Sequence, residues 1–198
     1  MEHKILVAYV TKSGSTTEVA QAIGQELAGD GVLVDVRPMK EVADLGAYDA
    51  VVVGAPMIFG WHREAVTFVE RHQQALSRVP VAYFATALSL TSTADSNGCG
   101  MPVYEDPSLA KPPKNGAKLS FKERYATVSN YLGPALHKAP QVRPVSAAFF
   151  NGKLDAARLD FLSRLFVQVV IGARSGDYRN WEAIRTWAAS LRPALIGE

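Results

Sequence analysis

Cysteine is almost missing from this chain. Cys99 is the single thiol in 198 residues, which excludes an intrachain disulfide and leaves a cysteine metal site without ligands. A reducing, cytoplasmic setting is the simpler expectation. Charge of one sign is missing as well. Lys and Arg number 21 against 19 Asp and Glu, a net of +2. Neither nucleic acid nor an acidic membrane is recruited by charge alone at that balance. No uninterrupted apolar run approaches the length of a spanning helix. The first strand starts within a few residues of Met1, so no signal peptide is expected. His3, His62, His72 and His137 are scattered. No Ser–His–Asp, Cys–His or paired-carboxylate arrangement emerges, and no catalytic residue is named. What is present is ordinary globular material, 48% hydrophobic and 20% charged, enough for one domain with a sizeable core.

Short apolar, β-branched runs mark the strands. Residues 4–10 (KILVAYV), 32–37, 50–55 (AVVVGA), 79–86 (VPVAYFAT) and 142–150 read as buried parallel strands. Helices alternate with them. Residues 16–28 carry Val19, Ala20, Ile23 and Leu27 on one face, and residues 64–76 carry Ala65, Phe68, Val69, His72 and Leu76. His72 on that stripe reads as a satisfied structural histidine. Ser120-Phe121-Lys122-Glu123 is a capping box. It opens a helix whose buried face should be Phe121, Tyr125, Val128, Leu132 and Leu136, and which Pro134 should kink or end. Strands alternating with helices imply a doubly wound α/β fold, a five-stranded parallel sheet of order 2-1-3-4-5 with right-handed crossovers.

The chemistry should sit beyond the carboxyl ends of those strands. The first loop there is Thr11-Lys12-Ser13-Gly14-Ser15-Thr16. Hydroxyls on Thr11, Ser13, Ser15 and Thr16 and the amides of a helix start suit a phosphate. The bland alternative is a plain turn in which Ser or Thr caps the helix. Lys12 precedes Gly14, which excludes a Walker A loop, and the lone glycine excludes a dinucleotide fingerprint. No acidic residue ends the first strand, so a magnesium-binding receiver is excluded too.

The second loop is Gly54-Ala55-Pro56-Met57-Ile58-Phe59-Gly60-Trp61, with Pro56 to Trp61 as its candidate cofactor residues. Phe59 and Trp61 offer aromatic faces on which a planar ring can stack. Gly60 leaves its backbone accessible to the ring's polar edge. A loop that merely seals the sheet end is the alternative. The third loop is Ala85-Thr86-Ala87-Leu88-Ser89-Leu90, with Thr86 to Ser89 as its candidate cofactor residues. His62 and Arg63, beside Trp61, are the side chains nearest the expected ring edge, and Arg63 could meet a substrate carboxylate. A solvated helix start is the competing account of both.

With these loops quoted, the chain resembles the flavodoxin-fold proteins that bind FMN. It is most similar among them to the menaquinone-dependent protoporphyrinogen IX dehydrogenase family. The loops Thr11 to Thr16 and Ala55 to Trp61 carry the first likeness. Gly176-Asp177-Tyr178-Arg179-Asn180-Trp181-Glu182 carries the second. The resemblance implies a single flavodoxin-like domain over residues 1–198, FMN as cofactor, and residues Thr11 to Thr16, Pro56 to Trp61 and Thr86 to Ser89 around it. It also implies an oxidoreductase of heme biosynthesis that passes electrons from a small reduced substrate to a quinone. Two other functions stay open at this point. One is an electron carrier between redox proteins, which a pI near 8.7 fits poorly. The other is an interaction module of this fold without FMN.

Two segments fall outside an ordinary flavodoxin pattern. Residues 91–118 contain Pro102, Pro107, Pro112 and Pro113 and read as a long irregular insert that gates the site rather than joining the core. The family's insert is strongly basic, whereas this one carries Asp95, Glu105 and Asp106. Residues 155–171 read as a helix apolar on most sides. It is expected to pack on the sheet, with a homodimer contact or peripheral contact with the membrane's inner face as the alternatives. A last helix from Trp181 to Leu191 should bury Trp181, Ile184, Ala188 and Leu191.

Overall fold

A computed structural model describes residues 2–29, 31–57, 60–93, 100–116, 118–154 and 175–197. Its centre is a six-stranded parallel sheet of order β2-β1-β3-β4-β8-β6. The strands are β1 (His3–Tyr9), β2 (Val32–Pro38), β3 (Ala50–Pro56), β4 (Val81–Ala87), β6 (Val103–Glu105) and β8 (Ser146–Asn151). All seven residues of β4 are buried, as an apolar strand covered on both faces requires. Two small pairings flank the sheet. β5 (Leu90–Thr91) runs parallel to β7 (Ala110–Lys111), and β9 (Lys153–Leu154) antiparallel to β10 (Gly176–Asp177).

The helices cover both faces. On one side α1 (Ser15–Leu27) and α6 (Trp181–Ile196) enclose Ile5, Val7, Val52, Phe84 and Phe150. Trp187 of α6 is buried among them and donates its indole N–H to Ser146 Oγ at 3.0 Å. On the other side α2 (Arg63–Arg71), α3 (Gln73–Leu76) and α5 (Val128–Lys138) enclose Leu6, Val53, Tyr83 and Phe149. A short α4 (Phe121–Tyr125) precedes α5. Each fully buried Leu or Phe removes about 1.5–3 kcal/mol of unfavourable hydration, so the two layers hold the sheet rigidly.

The expected strand order holds, with three corrections around it. The insert is not wholly irregular: Val103, Tyr104 and Glu105 pair with Ala147, Ala148 and Phe149 and become the sheet's sixth strand. Met101, Asp106 and Leu109 of the insert are buried, so it does join the core. The helix opened by Ser120 is two helices. Ala126 ends α4, and Thr127 caps α5 anew by accepting from the Asn130 amide at 3.3 Å. That break rotates the apolar face, and Phe121 (75%) and Tyr125 (47%) are exposed rather than buried. Pro134 lies on the exposed side of α5, which continues through it to Lys138. The expected helix over residues 155–171 lies outside the described residues.

Candidate functional site

β1 delivers the chain to the phosphate loop, and Val10 N–H is anchored on Gly54 O at 3.0 Å. Thr11 Oγ1 then accepts from the Gly14 amide at 2.9 Å, closing a tight turn. Gly14 sits at φ 91° as the residue before α1, a conformation that costs an L side chain about 1–2 kcal/mol. It offers no side chain to cap the helix. The other described helices of five residues or more are capped by side chains, from His62, Ser120, Thr127 and Asn180. The start of α1 is left with the amides of Ser15 and Thr16 aimed out of the first turn, together with the positive end of the helix dipole.

One of the expected phosphate hydroxyls points elsewhere. Thr16 is wholly buried, and its Oγ1 lies 3.1 Å from Thr86 Oγ1. A bound phosphate has no surface of Thr16's side chain to touch. The pair instead fixes the helix start to the end of β4. Thr86 also accepts the Met57 amide on its carbonyl at 2.8 Å. Thr86 and Ala87 are therefore buried members of β4, and the third loop proper is Leu88 and the exposed Ser89.

Trp61 is corrected too. Met57 and Trp61 form an antiparallel bridge that turns the second loop back on itself. The indole is 4% exposed, tilted 4.9 Å from the Tyr83 ring, and its N–H donates to Phe84 O at 3.3 Å. It has no free face for a planar ring. Gly60, at φ 124°, is half-buried with open space where a side chain would stand. Ile58 and Phe59 lie outside the described residues. His62 caps α2 through Nδ1, which accepts from the Glu64 amide at 3.4 Å, and Arg63 is exposed at that helix start.

Two residues outside the expected cofactor set hold these loops. Tyr131 of α5 accepts the Trp61 amide on its carbonyl at 3.3 Å and donates its hydroxyl to Ser89 O at 3.0 Å. Burial pushes its phenol up to about 12. Arg179 folds the C-terminal signature back onto the phosphate loop. Its guanidinium meets Glu18 of α1 at 2.9 Å and Ser15 O at 3.4 Å, binds Asp177 by two donors, and stacks 4.5 Å over the Trp181 ring. The side chain is only 3% exposed. The same hydrogen bonds hold the Asp177 carboxyl below its usual range. The heptapeptide Gly176 to Glu182 is visible as a signature, but its target at Ser15, 164 residues upstream, is not.

A family model described as a flavodoxin domain matches residues 6–179. The chain belongs to the flavodoxin-domain family. It is 23% identical to the protoporphyrinogen IX dehydrogenase [quinone] of Escherichia coli, over 95% of this chain and 94% of that one. Among solved structures it is similar to an NADH:FMN oxidoreductase in its apo form, with a TM-score of 0.53 at 12% identity, covering 99% of this chain and 91% of that one. An oxidoreductase from Corynebacterium diphtheriae gives 0.51 at 15% identity, covering 100% and 98%. The structural likenesses establish the fold.

In this flavodoxin domain the remaining histidines stand away from the three loops. His3 opens β1 at the opposite edge of the sheet, and His137 is exposed in the last turn of α5. His72, between α2 and α3, packs 4.7 Å from the Phe68 ring, but its Nε2 is buried without a hydrogen-bond partner among the described residues. His72 thus stands on the expected apolar stripe, and burial holds its pKa down. No helix among the described residues is long and apolar enough to cross a membrane.

Proposed function

We propose that this flavodoxin domain is an FMN-dependent oxidoreductase that oxidises a reduced organic substrate, with protoporphyrinogen IX as the leading candidate and a quinone as acceptor. The observation that carries the reading is the open start of α1: a hydroxyl-lined turn, a left-handed Gly14 and no side-chain cap, at the carboxyl edge of a parallel sheet. Those donors fit the phosphate of a mononucleotide. Bound there, the flavin ring would supply the two-electron redox chemistry.

The chain's own part is binding and orientation. The amides of Ser15 and Thr16, with hydroxyls of Thr11, Ser13 and Ser15, take the phosphate. Gly60 and Ser89, on the loops that Tyr131 ties together, border the space for the ring. Phe59 remains the proposed stacking residue, since Trp61 is committed to the core. The substrate assignment draws support from the likeness to the E. coli enzyme, whose name carries that substrate and a quinone.

Purified protein tests the reading in two stages. Denaturation should release a flavin with the mass of FMN, and recovery of a dinucleotide would overturn the cofactor. The FMN-loaded protein should then oxidise protoporphyrinogen IX in a menaquinone-dependent manner. Retention of FMN without that turnover would leave an electron carrier or an oxidoreductase of another substrate.

A further inference from the structure

Arg179 is an odd investment for a surface segment. A nearly inaccessible guanidinium touches the carbonyl of the first helical residue of α1 and two carboxylates, Glu18 in the first turn of that helix and Asp177. The Ser15 carbonyl belongs to the same planar peptide as the Thr16 amide, and the two point in opposite directions. A charged donor on the carbonyl fixes the plane and polarises the N–H at its other end. That N–H is one of the two aimed out of the helix. Without Arg179, the two carboxylates would also stand near an incoming phosphate with no counter-charge. Glu18 is half-exposed, so its charge is felt outside the fold.

We propose that Arg179 is a positioning residue for the phosphate of the flavin: it tunes the Thr16 amide and cancels the carboxylates behind the loop, so that the site selects a phosphorylated flavin over an unphosphorylated one. The inference rests on the FMN reading and adds a determinant that reaches the site from the far end of the chain. Arg179 itself is turned inward and is not a ligand of the phosphate. Its effect is therefore on the phosphate end alone, which separates it from a residue that merely holds the fold.

The test is a titration of the full-length apoprotein with FMN and with riboflavin, followed by quenching of flavin fluorescence. Arg179→Gln should weaken FMN by about fivefold or more, the scale of a charge acting at a helix terminus, and leave riboflavin unchanged. Arg179→Lys, which keeps the charge but not the fork, should recover part of the loss. Equal losses for both flavins, or no loss for FMN, would overturn the proposal. Should Arg179→Gln fail to fold, Glu18→Gln gives the opposite reading. Removing that exposed carboxylate should tighten FMN by about threefold and spare riboflavin, and unchanged or weaker FMN would sink the idea. A wild-type chain that binds riboflavin as well as FMN also defeats it, while leaving a flavin site. Binding of neither flavin defeats the FMN reading and the proposal together.

Discussion

α1 and α6 lie side by side on one face of the sheet, and their first turns are built in opposite ways. α6 is sealed. Asn180 accepts from the Ala183 amide at 3.2 Å and donates to Asp106 at 3.1 Å. Asp106, wholly buried, also accepts from the amides of Ser108 and Asn151. α1 is open. Gly14 offers its first turn a carbonyl, which accepts from the Thr17 and Glu18 amides, but no side chain, and Thr16 directs its hydroxyl backward to Thr86. Both starts carry residues able to cap. A helix start without a side-chain cap, beside one that is capped and braced, is what the proposed phosphate site would need.

The contrast can be broken most severely at the sealed end. Asp106→Ala removes the acceptor for Ser108, Asn151 and Asn180 at once. These donors are part-buried, so each sits at the low end of the about 1–3 kcal/mol cost of a donor without a partner, and a loss of about 3 kcal/mol in all is expected in urea denaturation. A change under about 1 kcal/mol would show that the carboxylate is dispensable. At the open end, Gly14→Ala should strain the turn by about 1–2 kcal/mol and set a methyl group among the phosphate donors. FMN affinity, measured by titration, should fall about tenfold or more, with a smaller fall in denaturation midpoint. Thr86→Val cuts the tie behind the loop and leaves the Thr16 hydroxyl alone. It should cost about 1–3 kcal/mol of stability while FMN binding falls less than in Gly14→Ala.

The smallest effect sharpens the comparison through a third helix start. Glu123 completes the capping box of α4, and its carboxyl is held at about 2 by the Lys114 amide and by the Ser120 hydroxyl and amide. A depressed carboxylate contributes stability that is present above its ordinary pKa and lost as pH falls through the folded value. Exchange protection of the Ser120 and Lys114 amides should therefore be full near neutrality and fade from about pH 4.5 towards 2. Glu123→Gln should abolish that dependence, while the amides of Ser15 and Thr16 should not share it.

The sequence announced what depends on neighbours along the chain. Parallel strands such as 50–56 are legible because both faces are buried and every residue is apolar. The loop Thr11 to Thr16 is legible because hydroxyls and glycine stand between a strand and a helix. What escaped depends on partners far away in sequence. Thr16 could not be assigned inward without Thr86, 70 residues on. Trp61 resembled a stacking residue until its bridge to Met57 turned it under the loop. Phe121 and Tyr125 had the right spacing for a buried face, but the stop at Ala126 changed the phase. Asp106 counts in the sequence only as one of the insert's acids, because its donors come from residues 108, 151 and 180.

An insertion in sequence need not be a module in space. Asp106 ends the sheet's added edge strand and also seats Asn180, the residue next to Arg179. Excision of residues 91–118 would leave the Asn151 amide and the Asn180 side chain without their acceptor and loosen the hinge from which Arg179 reaches α1. A protease cut there should be sensed at the phosphate end of the site. Grafting the insert onto a shorter relative should fail unless the Gly176 to Glu182 segment travels with it. The two stretches are one part, carried on the chain in two pieces.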